Sequence, residues 1–158
     1  IHDEVGFNYR LSNVHAAMGC AQLENIQARL AAKLAIAEGY DEGLANSEGI
    51  TLPEEAPWAS SAWWMYTVLV DEAVFGLDSR GLLRSLADSG IQARPVWQPL
   101  NISKAHVTSQ DRRCEVAERL YRDALSLPSS VGLTPRDQKR VVDALSRARA
   151  DAVSVAGR

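Results

Sequence analysis

The chain is poor in cysteine, lysine and aromatic residues, and each shortage excludes something. Its two cysteines, Cys20 and Cys114, stand far apart in 158 residues and form no CxxC pair. That rules out a disulfide scaffold and leaves too few ligands for a zinc site. Only Lys33, Lys104 and Lys139 are lysines among 17 basic residues, so few side chains are candidates for a catalytic amine. No apolar run approaches the ~20 residues of a membrane-spanning helix. No secretory leader is visible at the start, and a reducing, cytoplasmic setting is the expectation. With 17 basic against 20 acidic residues the net charge is −3. Such a chain carries no excess of cations to neutralise phosphates, so nucleic acid is not an expected partner. GxSxG, GxGxxG and GxxxxGK[ST] are all missing, as are internal repeats and low-complexity segments.

What is present suits one ordinary domain. Apolar residues make up 46% of the sequence, enough for a real core. The chain begins with Ile1, inside what reads as a motif, and is expected to be a piece of a longer protein. Residues 1–11 carry no helical period and read as a loop. Ser12 or Asn13 is a good N-cap for a long helix, in which Leu23, Ile26, Leu30, Leu34, Ala37 and Leu44 form one apolar stripe. Ala16, Ala17, Gly19 and Ala21 make its first turns narrow enough for close packing. The helix is expected to fray into residues 46–49. Residues 50–61, with Pro53 and Pro57, read as an extended connection.

Aromatic and β-branched residues over 63–70 predict a strand buried on both faces. Asp78-Ser79 then caps a short helix carrying Leu82, Leu83 and Leu86, which Gly90 ends. Residues 91–97 predict a second strand, at an edge because of Pro95. Residues 101–109 look like a loop. Cys114, Ala117, Leu120, Tyr121 and Ala124 mark a helix ending near Leu125, and Leu127-Pro128 reads as a short extended piece. Thr134-Pro135-Arg136-Asp137 opens the last helix with Thr at the N-cap and Pro at the first helical position. Its buried face is Val141, Val142, Leu145 and Ala148, and the tail after Ala150 is expected to fray. The class is α+β: a long N-terminal helix plus a small antiparallel or mixed sheet of two to three strands covered by helices.

Three pieces hold the residues that suit chemistry. Asn8, Tyr9 and Arg10 present an amide, a phenol and a guanidinium just before a helix N-terminus, a set that suits an anionic ligand. The plainer alternative is a cap with a surface salt bridge. Arg94 and Trp97 sit in a segment stiffened by Pro95 and Pro99. There the guanidinium suits phosphate or carboxylate and the indole suits ring stacking; alternatively Trp97 covers the small core. The third piece, Ser126-Leu127-Pro128-Ser129 with Leu133-Thr134-Pro135, is by itself a strand, a turn and a cap. His2, Asp3 and Glu4 are adjacent and aim poorly at one point, so no metal is expected. His15 and His106 have no ligand-spaced partners, and Cys20 reads as an inert buried thiol.

The order of these pieces resembles the C-terminal part of the DegT/StrS family of pyridoxal-phosphate sugar aminotransferases. HDEVGFNYRLSNVHAAMGCAQLENI is similar to the family's passage from its large domain into a long helix. ARPVWQPL resembles the small-domain loop of members acting on nucleotide-linked 4-keto-6-deoxy sugars in polysaccharide and glycan pathways. LSLPSSVGLTPRDQKRVVDAL is similar to the closing strand and helix. One departure is Asn101, where similar sequences commonly place His.

The resemblance implies the C-terminal small domain of a fold-type I aminotransferase. Residues 1–49 would be an interface loop and long helix linking to a missing large domain, and 50–158 the small α+β domain. It implies a homodimer, whose second subunit is a partner, a nucleotide-sugar substrate and glutamate as amino donor. Asn8 would reach the phosphate of the partner's pyridoxal 5'-phosphate. Arg10, with Tyr9, would approach the substrate diphosphate, and Arg94 and Trp97 would border its sugar. The family's Schiff-base lysine lies upstream, so no catalytic residue is assigned within this chain. None of the three lysines follows a strand in a phosphate-cradling context, and the chain alone is not expected to transaminate. The alternative is a non-catalytic binding or dimerisation module derived from that fold.

Overall fold

A computed structural model describes residues 7, 9–104 and 114–156. Helix α1 (Asn13–Glu24) and helix α2 (Ile26–Leu44) form one rod with a break at Asn25. Ser12 caps α1, its side chain accepting from the His15 N–H. The single long helix expected from the stripe is interrupted because the Asn25 amide donates to the Ala21 carbonyl at 3.0 Å. That side chain takes the position where a backbone N–H would continue the ladder. Of the six stripe residues only Ala37 and Leu44 are buried. Ile36, Ala37, Tyr40 and Leu44 are buried, whereas Leu23, Ile26, Leu30 and Leu34 are exposed and α1 buries nothing.

Four strands make one antiparallel sheet in the order β1-β2-β4-β3: β1 (Ile50–Thr51), β2 (Tyr66–Val70), β3 (Arg94–Pro95) and β4 (Ala124–Leu127). The sheet is larger than expected. Residues 50–61 contribute β1, and β4 lies where the sequence suggested a helix running to Leu125. Helix α5 (Glu115–Asp123) stops one residue before β4. β4 then sits between β2 and β3 with all four residues buried. β3 is at the edge, as Pro95 requires, and is shorter than residues 91–97.

The strands alternate as a one-sided core demands. Tyr66, Val68 and Val70 of β2 join Leu125 and Leu127 of β4 in the core. Helices α2, α4 (Ser79–Asp88) and α6 (Pro135–Ala156) supply its remaining wall through Tyr40, Leu82, Leu86, Val141 and Leu145. The opposite face of β2 is half-buried, not fully covered as the sequence suggested. There Thr67 Oγ1 and Ser126 Oγ hydrogen-bond at 2.8 Å. A one-turn helix, α3 (Glu72–Phe75), places Phe75 in the core and was not legible in the sequence.

Both end signals of α4 and the start signal of α6 work as read. Asp78 caps α4, and after it Ile91 donates to Leu86 O at 2.9 Å while Gly90, at φ 69°, donates to Ala87 O at 2.8 Å. This paired closure needs a left-handed residue, which Gly supplies without a Cβ clash. Thr134 Oγ1 accepts from the Asp137 N–H at 3.1 Å and donates to its carboxylate at 2.7 Å. Thr134→Ala is expected to cost about 1 kcal/mol, measurable by urea unfolding. Helix α6 continues through Ala156 rather than fraying after Ala150.

Candidate functional site

The edge strand carries the first pair of candidate residues. Ile91 and Ala93 plug into the core and fix the segment, leaving Arg94 exposed on β3. Its backbone pairs with Ser126 of β4, and no hydrogen bond or ion pair engages its guanidinium among the described residues. It lines a cleft of about 490 Å³ with Met65, Ser129, Asp137 and Arg140. Arg140 is committed to closing α4, donating to Ser89 O at 2.8 Å. Asp137 is committed to the α6 cap, so Arg94 is the cation that the cleft leaves available.

Trp97 faces a different space, an apolar cleft of about 660 Å³ on the outer face of the sheet. Thr67, Leu69 and Ala124 line it together with Leu100 and with Leu120 of α5. The 3-10 turn Leu100–Ile102 is tied to α5 by Asn101, whose amide donates to Glu118 Oε1 at 2.6 Å. Asn101 therefore anchors this loop.

Sequence reasoning missed the residues that hold Trp97 in place. Its indole stacks on Trp64 with ring centroids 5.8 Å apart and planes 20° from parallel. Both tryptophans are 68% exposed. Trp64 is turned outward by its neighbour: Trp63, at φ 46°, is the sole non-glycine residue with positive φ among the described residues. A bulky side chain in that region costs about 1–3 kcal/mol and persists only where surroundings impose it. Here Trp63 packs inward near Tyr66, at 6.2 Å between rings.

Lys33 completes the arrangement. From mid-α2 its ammonium donates to the Trp64 carbonyl at 2.7 Å and to the Ser129 carbonyl. Burial lowers its pKa from the ordinary lysine value. The signal available in the sequence was its rarity, a lysine in a chain that otherwise uses arginine. Beneath it Tyr40 and Tyr66 stack at 4.8 Å; Tyr40 donates to Pro128 O at 2.7 Å and Tyr66 to Asp41 Oδ1 at 2.5 Å. Burial raises both phenol pKa values, and for Tyr66 the bond to Asp41 and that residue's charge add to it. Lys33→Met would leave two carbonyls without this donor, at a cost of about 1–3 kcal/mol in thermal or urea unfolding.

The second group of candidates is far from the first. Tyr9 and Arg10 lie exposed before the Ser12 cap, the Tyr9 ring 6.0 Å from that of Phe7. Asn8 lies outside the described residues, as do His2, Asp3, Glu4 and His106. Between Asn13 and Lys33, which touches Trp64, run about 30 Å of helix at 1.5 Å per residue. Arg94 and Trp97 thus share one end of the fold, and Tyr9 and Arg10 stand at the start of the rod.

Residues 1–146 match the DegT/DnrJ/EryC1/StrS aminotransferase family. The chain belongs to this family. It is 37% identical over 146 residues to GDP-perosamine synthase of Caulobacter vibrioides, covering 90% of this chain and 38% of that protein. To the pyridoxal phosphate-dependent aminotransferase EpsN assigned in Bacillus subtilis it is 34% identical, over 91% of this chain and 37% of the relative. The crystal structure of Streptomyces venezuelae DesV superposes with a TM-score of 0.77 at 29% identity, over 96% of this chain and 39% of DesV. PseC of Helicobacter pylori, at 20% identity and a TM-score of 0.82, shares the fold. The chain therefore spans less than two-fifths of the length of these curated relatives.

Within the family's chemistry, the described residues do not fit pyridoxal phosphate by themselves. The cofactor's aldehyde needs a lysine amine inside its pocket, and neither cleft is lined by lysine. Lys33 is held by two carbonyls, Lys139 pairs with Asp143 at 2.8 Å on α6, and Lys104 is exposed. Among the described residues no group of three or more His, Cys, Asp or Glu is placed to hold a metal. No described helix is long and apolar enough to cross a membrane.

Proposed function

We propose that this chain is the C-terminal part of a pyridoxal-phosphate-dependent aminotransferase that acts on a nucleotide-linked 4-keto-6-deoxy sugar. The amino donor is glutamate and the pathway makes a polysaccharide or glycan. The observation that carries this reading is the match to GDP-perosamine synthase over 90% of this chain but only 38% of that protein. In this reading the lysine that carries the cofactor lies in an upstream large domain, and the enzyme works in the cytoplasm as a homodimer. Residues 1–49 form the link and interface, and residues 50–158 the small domain. Support for an interface comes from α1, which buries nothing, and from exposed Val14, Met18 and Leu23; patches of this kind mark association surfaces. Asn8 and Arg10 then serve the cofactor phosphate and the substrate diphosphate, while Arg94 and Trp97 border the sugar.

Two measurements test the reading. The chain alone, mixed with pyridoxal phosphate and treated with borohydride, is expected to gain no stoichiometric label at Lys33, Lys104 or Lys139. Joined to the large domain encoded upstream, it is expected to transfer nitrogen from glutamate to a nucleotide-linked 4-keto-6-deoxy sugar. In that form Arg10→Ala should raise the substrate KM roughly ten- to a hundredfold, the scale of a lost bond to a charged group. A labelled lysine in the isolated chain, or no transfer by the joined form, would overturn the proposal and favour a non-catalytic module.

A further inference from the structure

The Trp64–Trp97 pair is built by more of the fold than covering a core requires. Three independent features converge on it. Trp63 holds a left-handed backbone at φ 46°, which separates its own inward-packed ring from the outward ring of Trp64. Lys33 reaches from α2 to the Trp64 carbonyl, and Ser129 Oγ reaches the same oxygen at 3.4 Å. On the other side, the core residues Ile91 and Ala93 and the turn fixed by Asn101 hold the segment that carries Trp97. The result is two near-parallel indoles, and both tryptophans are 68% exposed. Burial of either would be favourable, yet the backbone and the ammonium keep both outside.

We infer that Trp64 and Trp97 form a stacking platform for the nucleobase of the nucleotide sugar, with Lys33 as a positioning residue for it. The inference rests on the reading of Trp97 as a substrate neighbour and adds Trp64, Lys33 and the part of the ligand they meet. A flat, parallel indole pair extends naturally onto a third planar ring, and every base offers a π-face for such stacking. The platform touches the ligand; Lys33 does not, and acts only through the Trp64 carbonyl.

The four indole N–H resonances provide the test by NMR, with Trp58 as an internal control because it is exposed and outside the pair. Titration of this chain with GDP, UDP or dTDP is expected to shift the Trp64 and Trp97 resonances saturably and leave Trp58 in place. Ribose 5-phosphate and inorganic diphosphate, which lack a base, should not. Trp64→Leu should weaken binding about tenfold, the scale of one lost base–aromatic stack, and Trp64→Phe should weaken it less. Lys33→Met should weaken binding severalfold and change the near-ultraviolet circular dichroism of the indole pair, while Lys33→Arg restores both. Equal shifts at Trp58, equal shifts with the base-free compounds, or no shift with any nucleoside diphosphate would overturn the platform. Unchanged spectra and affinity in Lys33→Met would overturn the positioning role. None of these outcomes depends on aminotransferase activity, so the platform and the proposed reaction can fail separately.

Discussion

Leu125→Ala is expected to destabilise the chain by about 2–5 kcal/mol, as deletion of a fully buried leucine does when its neighbours cannot collapse into the space. Leu125 is fully buried on β4, opposite Val68 of β2 in register and beside Pro95 of β3. It therefore touches both neighbouring strands, and the core helices close over it. The loss should appear as a lower urea midpoint with an unchanged slope. Ala124 pairs with Leu69 on the other face of the same strand. Had residues 114–125 formed the helix that the apolar spacing suggested, Leu125 would sit at a fraying end, and its truncation would cost well under 1 kcal/mol. The measurement separates the two arrangements.

Gly49→Ala is expected to be comparably damaging, at about 2–5 kcal/mol, although it adds only a methyl group. Gly49 lies at φ 79°, and a Cβ there would stand 2.5 Å from the backbone nitrogen of Phe75 and 2.8 Å from its Cα. The left-handed conformation alone costs an alanine about 1–2 kcal/mol. The clash is with backbone, so α3 and the core residue Phe75 must move, and such overpacking adds about 1–3 kcal/mol. The Asp71 N–H bond to Gly49 O, 2.8 Å long, ties the same two segments and opposes that movement. Gly132→Ala is the matched control, since its Cβ would meet nothing within 4 Å and its φ is ordinary. It should lie within about 0.5 kcal/mol of the starting protein. Similar thermal midpoints for the two variants would refute the steric account.

Both sites show where sequence reasoning stopped. The cap residues of α1, α4 and α6 were legible because a cap is a local event: Ser12, Asp78 and Thr134 each accept from the N–H three residues on. The edge position of β3 was legible for the same reason, since Pro95 lacks a donor wherever it sits. The family motifs were legible as well, and the match over residues 1–146 shows the membership they suggested. The first half of β4 was not, because Ala124 and Leu125 continue the helical spacing of Ala117, Leu120 and Tyr121, whereas Leu127 read as extended. Only pairing with β2 and β3 selects the strand.

By itself, then, the sequence determined the class of fold, the starts of α1, α4 and α6, the edge strand and the family. All of these depend on contacts within a few residues or on a motif read in order. The tertiary structure alone decided the rest. It separated Arg94 from Trp97 into two clefts and set Tyr9 and Arg10 about 30 Å of helix away from Lys33. It also joined Lys33 to Trp64 and Ser129, which stand 31 and 96 residues distant in the chain. The physical reason is that a half-buried ammonium takes acceptors wherever the neighbouring backbone presents them. Those carbonyls belong to backbone that any residue type supplies, so no pattern of side chains could announce them.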